Sequence, residues 1–241
     1  MNRVKVVVLI AFLFIVLSTA DDSYADRRSY VWTYEYMTMP KGMWELEQYL
    51  TLKIPSINES NVNTLQYWLE LEYGITDRWD IALYQMWKFE NKDSGDNYGY
   101  DGFKIRTRYR FGEKGKYFID PLIYFEYIRD DNFHKPNVGE AKLILAKDVG
   151  KTNISYNQIL KRNLDSKGKT EHEYAIGMAY EFSPAFRFGI ESKGNYSEEE
   201  YAAGTTLSVA KGKFWFALGT LFGLNKRTDD IQTRLIVGIM F

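Results

Sequence analysis

Residues 103–111 (FKIRTRYRF) alternate without interruption between two kinds of side chain. The odd positions are aromatic or aliphatic apart from one threonine, and the even positions are all cationic. A period of two is the period of a β-strand, whose successive side chains leave opposite faces. Four cations on one face cannot be buried unpaired, and the aromatic face is disfavoured in water. The stretch therefore predicts a strand that separates an apolar medium from a polar one.

The same alternation recurs from residue 44 to the end of the chain, in twelve segments. Their lengths of about 10 to 12 residues match tilted strands that cross a bilayer. Short turns, such as residues 74–78 and 112–116, alternate with longer polar loops, such as residues 55–63. That alternation is typical of membrane barrels. The predicted fold class is all-β, a single-domain antiparallel transmembrane β-barrel of about twelve strands, with the strand after the basic one at residues 117–127.

Composition narrows the function classes. The chain has no cysteine, which excludes disulfides and thiolate metal sites. Its formal net charge is -1, so no overall basic field recruits nucleic acid. We expect neither a cofactor nor a metal. The aromatic share of 17% fits two interfacial girdles on a barrel.

The N-terminus has the pattern of a secretory signal peptide. Arg3 and Lys5 precede an apolar run at residues 6–17 that is too short for a typical spanning helix. Small residues before Ala20 and before Ala25 offer two cleavage sites, and we favour the second. We therefore predict a signal peptide at residues 1–25. Residues 26–43 then form an N-terminal segment that plugs the barrel, lies in the periplasm or joins its seam, and residues 44–241 form the barrel.

The chain ends on alternating apolar residues and a terminal aromatic. These residues are Leu235, Val237, Ile239 and Phe241. The pattern resembles the C-terminal assembly signal of Gram-negative outer-membrane β-barrel proteins of the porin and small-channel type, without matching a characterised subfamily. The resemblance implies an outer-membrane location, contact with lipid and lipopolysaccharide, and recognition by the barrel assembly machinery.

If the apolar face of each strand contacts lipid, the polar face lines the lumen. The predicted basic stripe consists of Lys104, Arg106, Arg108, Arg110, Arg187 and Arg234. The predicted acidic patch consists of Glu45, Glu47, Glu70, Glu72, Asp80, Asp120 and Glu126. Twelve strands give a backbone diameter of about 24 Å, which long inward side chains narrow to about 10 Å or close. Small inward residues near Gly177 and Gly189 favour an off-centre channel.

Two interpretations of this lumen stay open. In the first, the charges face water, set a transverse field and select small polar or charged solutes. Neutralising Arg106 and Arg108 is then expected to shift ion selectivity toward cations. In the second, the charges pair across strands and fill a structural or adhesive barrel. We prefer the first, a narrow channel for passive diffusion.

An outer-membrane lipid hydrolase is the alternative from another class. A hydrolase needs a nucleophile hydrogen-bonded to its base. The two histidines, His134 and His172, fall in a loop and on the lipid-facing side of a strand, and no G-x-S-x-G motif is present. We therefore expect that the chain is not an enzyme.

Overall fold

A computed structural model describes residues 27–59, 61–92, 95–165 and 168–241. In it, the protein is a closed barrel of twelve antiparallel strands. The strands are β1 (Trp44–Ile54), β2 (Asn63–Thr76), β3 (Trp79–Asn91), β4 (Asn97–Arg110), β5 (Asp120–Arg129), β6 (Val138–Val149), β7 (Thr152–Asn163), β8 (Thr170–Ser183), β9 (Phe186–Asn195), β10 (Glu200–Lys211), β11 (Phe214–Gly223) and β12 (Ile231–Met240). This confirms the predicted fold class and strand count. The signal-peptide prediction for residues 1–25 lies outside the described residues.

Each strand pairs with its neighbours in sequence, and β12 pairs with β1 to close the ring. At this seam Trp44 and Phe241 each donate a backbone N–H to the other's carbonyl, both at 2.9 Å. Leu235, Val237 and Ile239 pair with Leu50, Gln48 and Leu46 of β1. Closure leaves none of the twelve described strands with an unpaired edge, as a barrel wall in lipid requires.

Alternate side chains leave the wall on opposite faces, as the basic strand predicts. On β4, Ile105 and Tyr109 are 43% and 42% exposed on the outside, whereas Arg106 and Arg108 are 1% and 4% exposed on the inside. Aromatic pairs such as Tyr67 with Trp87 and Phe182 with Phe186 lie near the two ends of the strands. The outer surface is therefore apolar with aromatic ends, and the inner surface is polar.

Connections at the end of the barrel that holds residues 44 and 241 are mostly tight. Residues 77–78, 150–151, 184–185 and 212–213 make turns there, so we call it the short-turn end and the opposite end the long-loop end. One prediction was wrong in detail, since residues 111–119 form a longer loop and β5 begins at Asp120 rather than at residue 117. The Asp120 carboxylate accepts hydrogen bonds from the backbone N–H groups of Gly115 and Tyr117, at 2.7 and 3.2 Å, and so stabilises the loop.

Helical structure is limited in the described chain to a 3-10 turn at Ile57–Glu59 between β1 and β2. Within the described residues, no helix has the length and apolar character needed to cross a membrane.

Candidate functional site in the barrel lumen

Residues 27–39, here called the lumen segment, lie inside the barrel without forming a strand. Tyr30 and Val31 are fully buried, and Tyr36 is 2% exposed. The Tyr30 hydroxyl donates to the Asn153 carbonyl of β7 at 2.9 Å, and the Tyr36 hydroxyl donates to the Gly112 carbonyl at 2.8 Å. The segment thus crosses the interior and contacts both β7 and the loop after β4.

Small residues on the inner wall make room for the lumen segment. A Cβ atom placed on Gly177 would lie 2.4 Å from Tyr30 Cε1, and one on Gly219 would lie 2.5 Å from Val31 Cγ2. Both distances are far shorter than any real contact of a Cβ atom. The space near Gly177 that the sequence assigns to an off-centre channel is therefore occupied by the chain's own tyrosine.

Backbone groups of the lumen segment are satisfied by inward-facing side chains. The Glu191 carboxylate of β9 accepts the N–H groups of Val31 at 3.1 Å, Trp32 at 2.7 Å and Thr33. The Asn157 amide of β7 accepts the N–H of Tyr34 at 2.7 Å and donates to its carbonyl at 2.9 Å. Buried backbone groups require such partners, so Glu191 and Asn157 are the main polar anchors of the segment.

Apolar packing surrounds the lumen segment toward the short-turn end. Tyr36 packs with Leu122, Tyr124 and Ile144, all at most 2% exposed. Val31 belongs to a second cluster that includes Trp215 and Ile236. Within these two clusters the side chains pack as they do in a protein core.

Five residues of the predicted stripe and patch form one buried ionic network on β2, β3 and β4. Arg106 Nη2 lies 2.6 Å from Glu70 Oε1 and 2.5 Å from Glu72 Oε2, and its Nη1 lies 3.4 Å from Asp80 Oδ1. Arg108 pairs with Asp80 at 2.8 Å and also with Glu72. The strand register brings these residues together, because Ala82 of β3 pairs with Glu72 of β2 on one side and with Arg106 of β4 on the other.

Other predicted site residues lie apart from this network. Lys104 pairs with Glu126 at 3.1 Å, and Arg187 pairs with Glu181 at 2.8 Å. Arg110 donates to Thr38 Oγ1 of the lumen segment at 2.7 Å. The remaining residues form hydrogen bonds with neutral partners. Glu45 accepts from Trp215, Glu47 accepts from Tyr49, Asp120 accepts from loop backbone, and Arg234 donates to Thr51.

Two cavities lie on opposite sides of the lumen segment. The outer cavity, at the long-loop end, has a volume of about 820 Å³. The inner cavity, at the short-turn end, has a volume of about 290 Å³ and is lined by Arg27, Glu35 and Arg110 among others. At the rim of the outer cavity, a hydrogen bond to Asp130 raises the pKa of Lys135, which keeps this ammonium charged and paired.

Sequence reasoning left out several residues that line the outer cavity. Trp32 and Tyr34 come from the lumen segment, whose placement inside the barrel the sequence left open. Lys142 of β6 lies between the rings of Tyr34 and Tyr124, at 4.5 and 4.3 Å from their centroids. Its position opposite the apolar face of β6 was a usable signal, since strict alternation places it inside.

Carboxylate oxygens of Glu45, Glu47 and Glu72 lie within 4.8 Å of one another in the buried wall. Trp215, Tyr49 and the two arginines already hydrogen-bond these groups. We therefore assign no metal to them. The side chains of both His134 and His172 are exposed. That the chain is not an enzyme stays a prediction.

Comparisons with solved structures find the same fold. The COG4313 outer membrane channel from Pseudomonas putida F1 matches with a TM-score of 0.62 and 11% identity over 88% of this chain and 100% of that one. The KdgM porin, solved in complex with disordered oligogalacturonate, matches with a TM-score of 0.55 and 10% identity over 83% and 98%. The translocator domain of the autotransporter NalP from Neisseria meningitidis matches with a TM-score of 0.50 and 9% identity over 84% and 90%.

No family model and no curated protein matches the sequence. The class of protein is nonetheless defined by the fold. The chain is a β-barrel of the outer-membrane type, and its described interior combines a buried lumen segment with an open outer cavity.

Proposed function

We propose that this protein is an outer-membrane channel for passive diffusion of small polar or charged solutes, closed at rest by its own lumen segment. The observation that carries the proposal is the pair of cavities, about 820 and 290 Å³, separated by that segment. Export by a signal peptide at residues 1–25 and insertion by the assembly machinery, in contact with lipid and lipopolysaccharide, belong to the same proposal. The long-loop end then faces outward and the short-turn end faces the periplasm.

The barrel wall does not need the lumen segment for closure. The first strand begins at Trp44, after the segment, and pairs directly with β12. Hydrogen bonds and packing hold residues 27–39, but no strand ladder does. The segment can therefore leave the lumen without breaking the ring, which is what a gate requires.

A filled structural barrel is the second candidate. The five-residue ionic network and the apolar packing around Tyr36 favour it, because both occupy part of the short-turn half. The outer cavity favours the channel, because a barrel without transport has no need of a large polar vestibule. Conductance in planar bilayers distinguishes the two candidates, because only the channel conducts.

The Glu191→Gln variant should open more often than the unmodified protein. The carboxylate accepts three backbone N–H groups of the lumen segment, and an amide offers only one acceptor oxygen there. Each charge-assisted bond contributes about 1.5–3 kcal/mol, so the loss should raise the open fraction by at least about tenfold. Single-channel recording in planar bilayers measures this fraction directly.

The matched control is Glu173→Gln. Glu173 also faces the lumen but accepts a hydrogen bond from Asn195 rather than from the lumen segment. Its open fraction should stay near that of the unmodified protein. Equal open fractions in both variants and the unmodified protein would show that Glu191 does not hold a gate.

A further inference from the structure

Positive charge in the outer cavity is distributed unevenly. On one side, Lys104 pairs with Glu126 at 3.1 Å and Lys142 pairs with Glu140 at 2.8 Å. The other side carries cations that make no ion pair with any described residue, among them Lys53 of β1, Lys193 of β9 and Arg234 of β12. Glu173 and Glu200 line the same cavity without lying within ion-pair distance of these cations, so the cluster keeps donors free for an anion.

Arg234 keeps part of its hydrogen-bonding capacity free. It donates from Nε to Thr51 Oγ1 at 2.8 Å and from Nη1 to the Val31 carbonyl at 3.1 Å. Nη2 makes no hydrogen bond with any residue that the structure describes, so an oxygen of a bound anion can accept from it. The Asp229 carboxylate accepts from Gln232 at 3.0 Å and makes no ion pair with Arg234.

Two indole rings lie beside the same cations. The Arg234 guanidinium is 5.2 Å from the centroid of Trp32 and 5.0 Å from that of Trp68. Lys193 Nζ is 5.4 Å from the centroid of Trp32. All of these side chains line the one cavity. Aromatic faces next to fixed donors provide both a stacking surface and orientation for a ring-bearing ligand.

We propose that the outer cavity binds a small organic anion that carries a ring. The carboxylate is held by Lys53, Lys193 and Arg234, and the ring packs on Trp32 and Trp68. The inference rests on the proposed function, since it names the solute class that a channel with this vestibule would concentrate. Because Trp32 belongs to the lumen segment, the ligand also contacts the element that closes the lumen.

Benzoate is the probe, with benzyl alcohol as its neutral counterpart and benzylammonium as its cationic one. Isothermal titration of the folded barrel in detergent measures binding without any need for conductance. We expect benzoate to bind at least about tenfold more tightly than either counterpart, since charge-assisted hydrogen bonds supply most of the affinity. Rising salt should weaken benzoate binding.

Lys53→Gln and Lys193→Gln test the cation cluster. Each should weaken benzoate binding by about fivefold or more, because each removes one cation that would contact the carboxylate. Arg234 is left intact, since it also holds Val31 of the lumen segment. The matched control is Lys135→Gln, because Lys135 lies at the rim of the same cavity but pairs with Asp130 at 2.7 Å. It should leave the affinity within twofold.

Benzyl alcohol binding as tightly as benzoate would overturn the proposal, and so would unchanged affinity in both lysine variants. Folding of each variant is checked by its heat-dependent gel mobility, so a lost signal cannot come from an unfolded barrel. Benzoate binding in a protein without conductance would leave this site standing and remove the channel. Conductance in a protein that does not bind benzoate would support the channel and remove this binding site.

Discussion

Arg106→Met is expected to lower the free energy of unfolding by about 3–5 kcal/mol, enough to compromise assembly of the barrel. Arg106 is 1% exposed and contacts Glu70, Glu72 and Asp80. Its removal leaves Glu72 and Asp80 to Arg108 alone and leaves Glu70 with the Tyr49 hydroxyl as its partner. The loss of stability comes from leaving buried carboxylates without their charged partner. Breaking a buried ion pair in this way destabilises a protein by more than the intact pair stabilises it.

Urea unfolding in detergent, followed by heat-dependent gel mobility, measures this loss. The matched control is Arg78→Met. Arg78 lies in the turn between β2 and β3 and pairs with Glu113 at the exposed surface. Its unfolding midpoint should hardly change, since exposed pairs contribute little. Similar midpoints for both variants would contradict a stabilising role of the buried network.

This prediction differs from the one the sequence favours. Strict alternation on β4 places Arg106 and Arg108 inside, and from there a shift in ion selectivity was the natural expectation. Alternation gives the face of a strand but not how deeply each side chain is covered. Burial of both guanidinium groups depends on the cross-strand register and on the lumen segment, so we propose a structural role for them.

Strand number, strand order and lipid-facing positions were predictable from sequence because each depends on local alternation and on turn residues. The position of residues 27–39 was not, since Tyr30, Trp32, Tyr34 and Tyr36 alternate like a strand yet form none. Their partners, such as Asn153 and Glu191, are more than a hundred residues away. The sequence does contain a matching feature, since wall glycines such as Gly177 leave room on the inner face. From the sequence alone, that room cannot be told apart from an open channel.

Deletion of residues 27–39 should turn the closed barrel into an open pore. The deletion removes the buried Tyr30, Val31 and Tyr36, and it joins the two cavities across the lumen. A twelve-stranded wall encloses a backbone diameter of about 24 Å, so the remaining side chains leave a water-filled path. Permeability of vesicles to small solutes should rise on the order of tenfold or more.

Gly177→Leu provides a matched test of the same contact. In the intact chain its side chain collides with Tyr30, so it should displace the lumen segment or weaken the fold. In the deletion variant the same substitution meets no segment and should have little effect on stability. Equal effects in both backgrounds would show that Gly177 is small for a reason other than Tyr30.

The most direct test of a channel closed by its own lumen segment is single-channel conductance of the intact protein and of the variant lacking residues 27–39, recorded in the same planar bilayers. Rare openings in the intact protein and a stable, larger conductance in the deletion variant are the predicted result. No conductance from a correctly folded deletion variant would contradict the channel and leave a filled structural barrel.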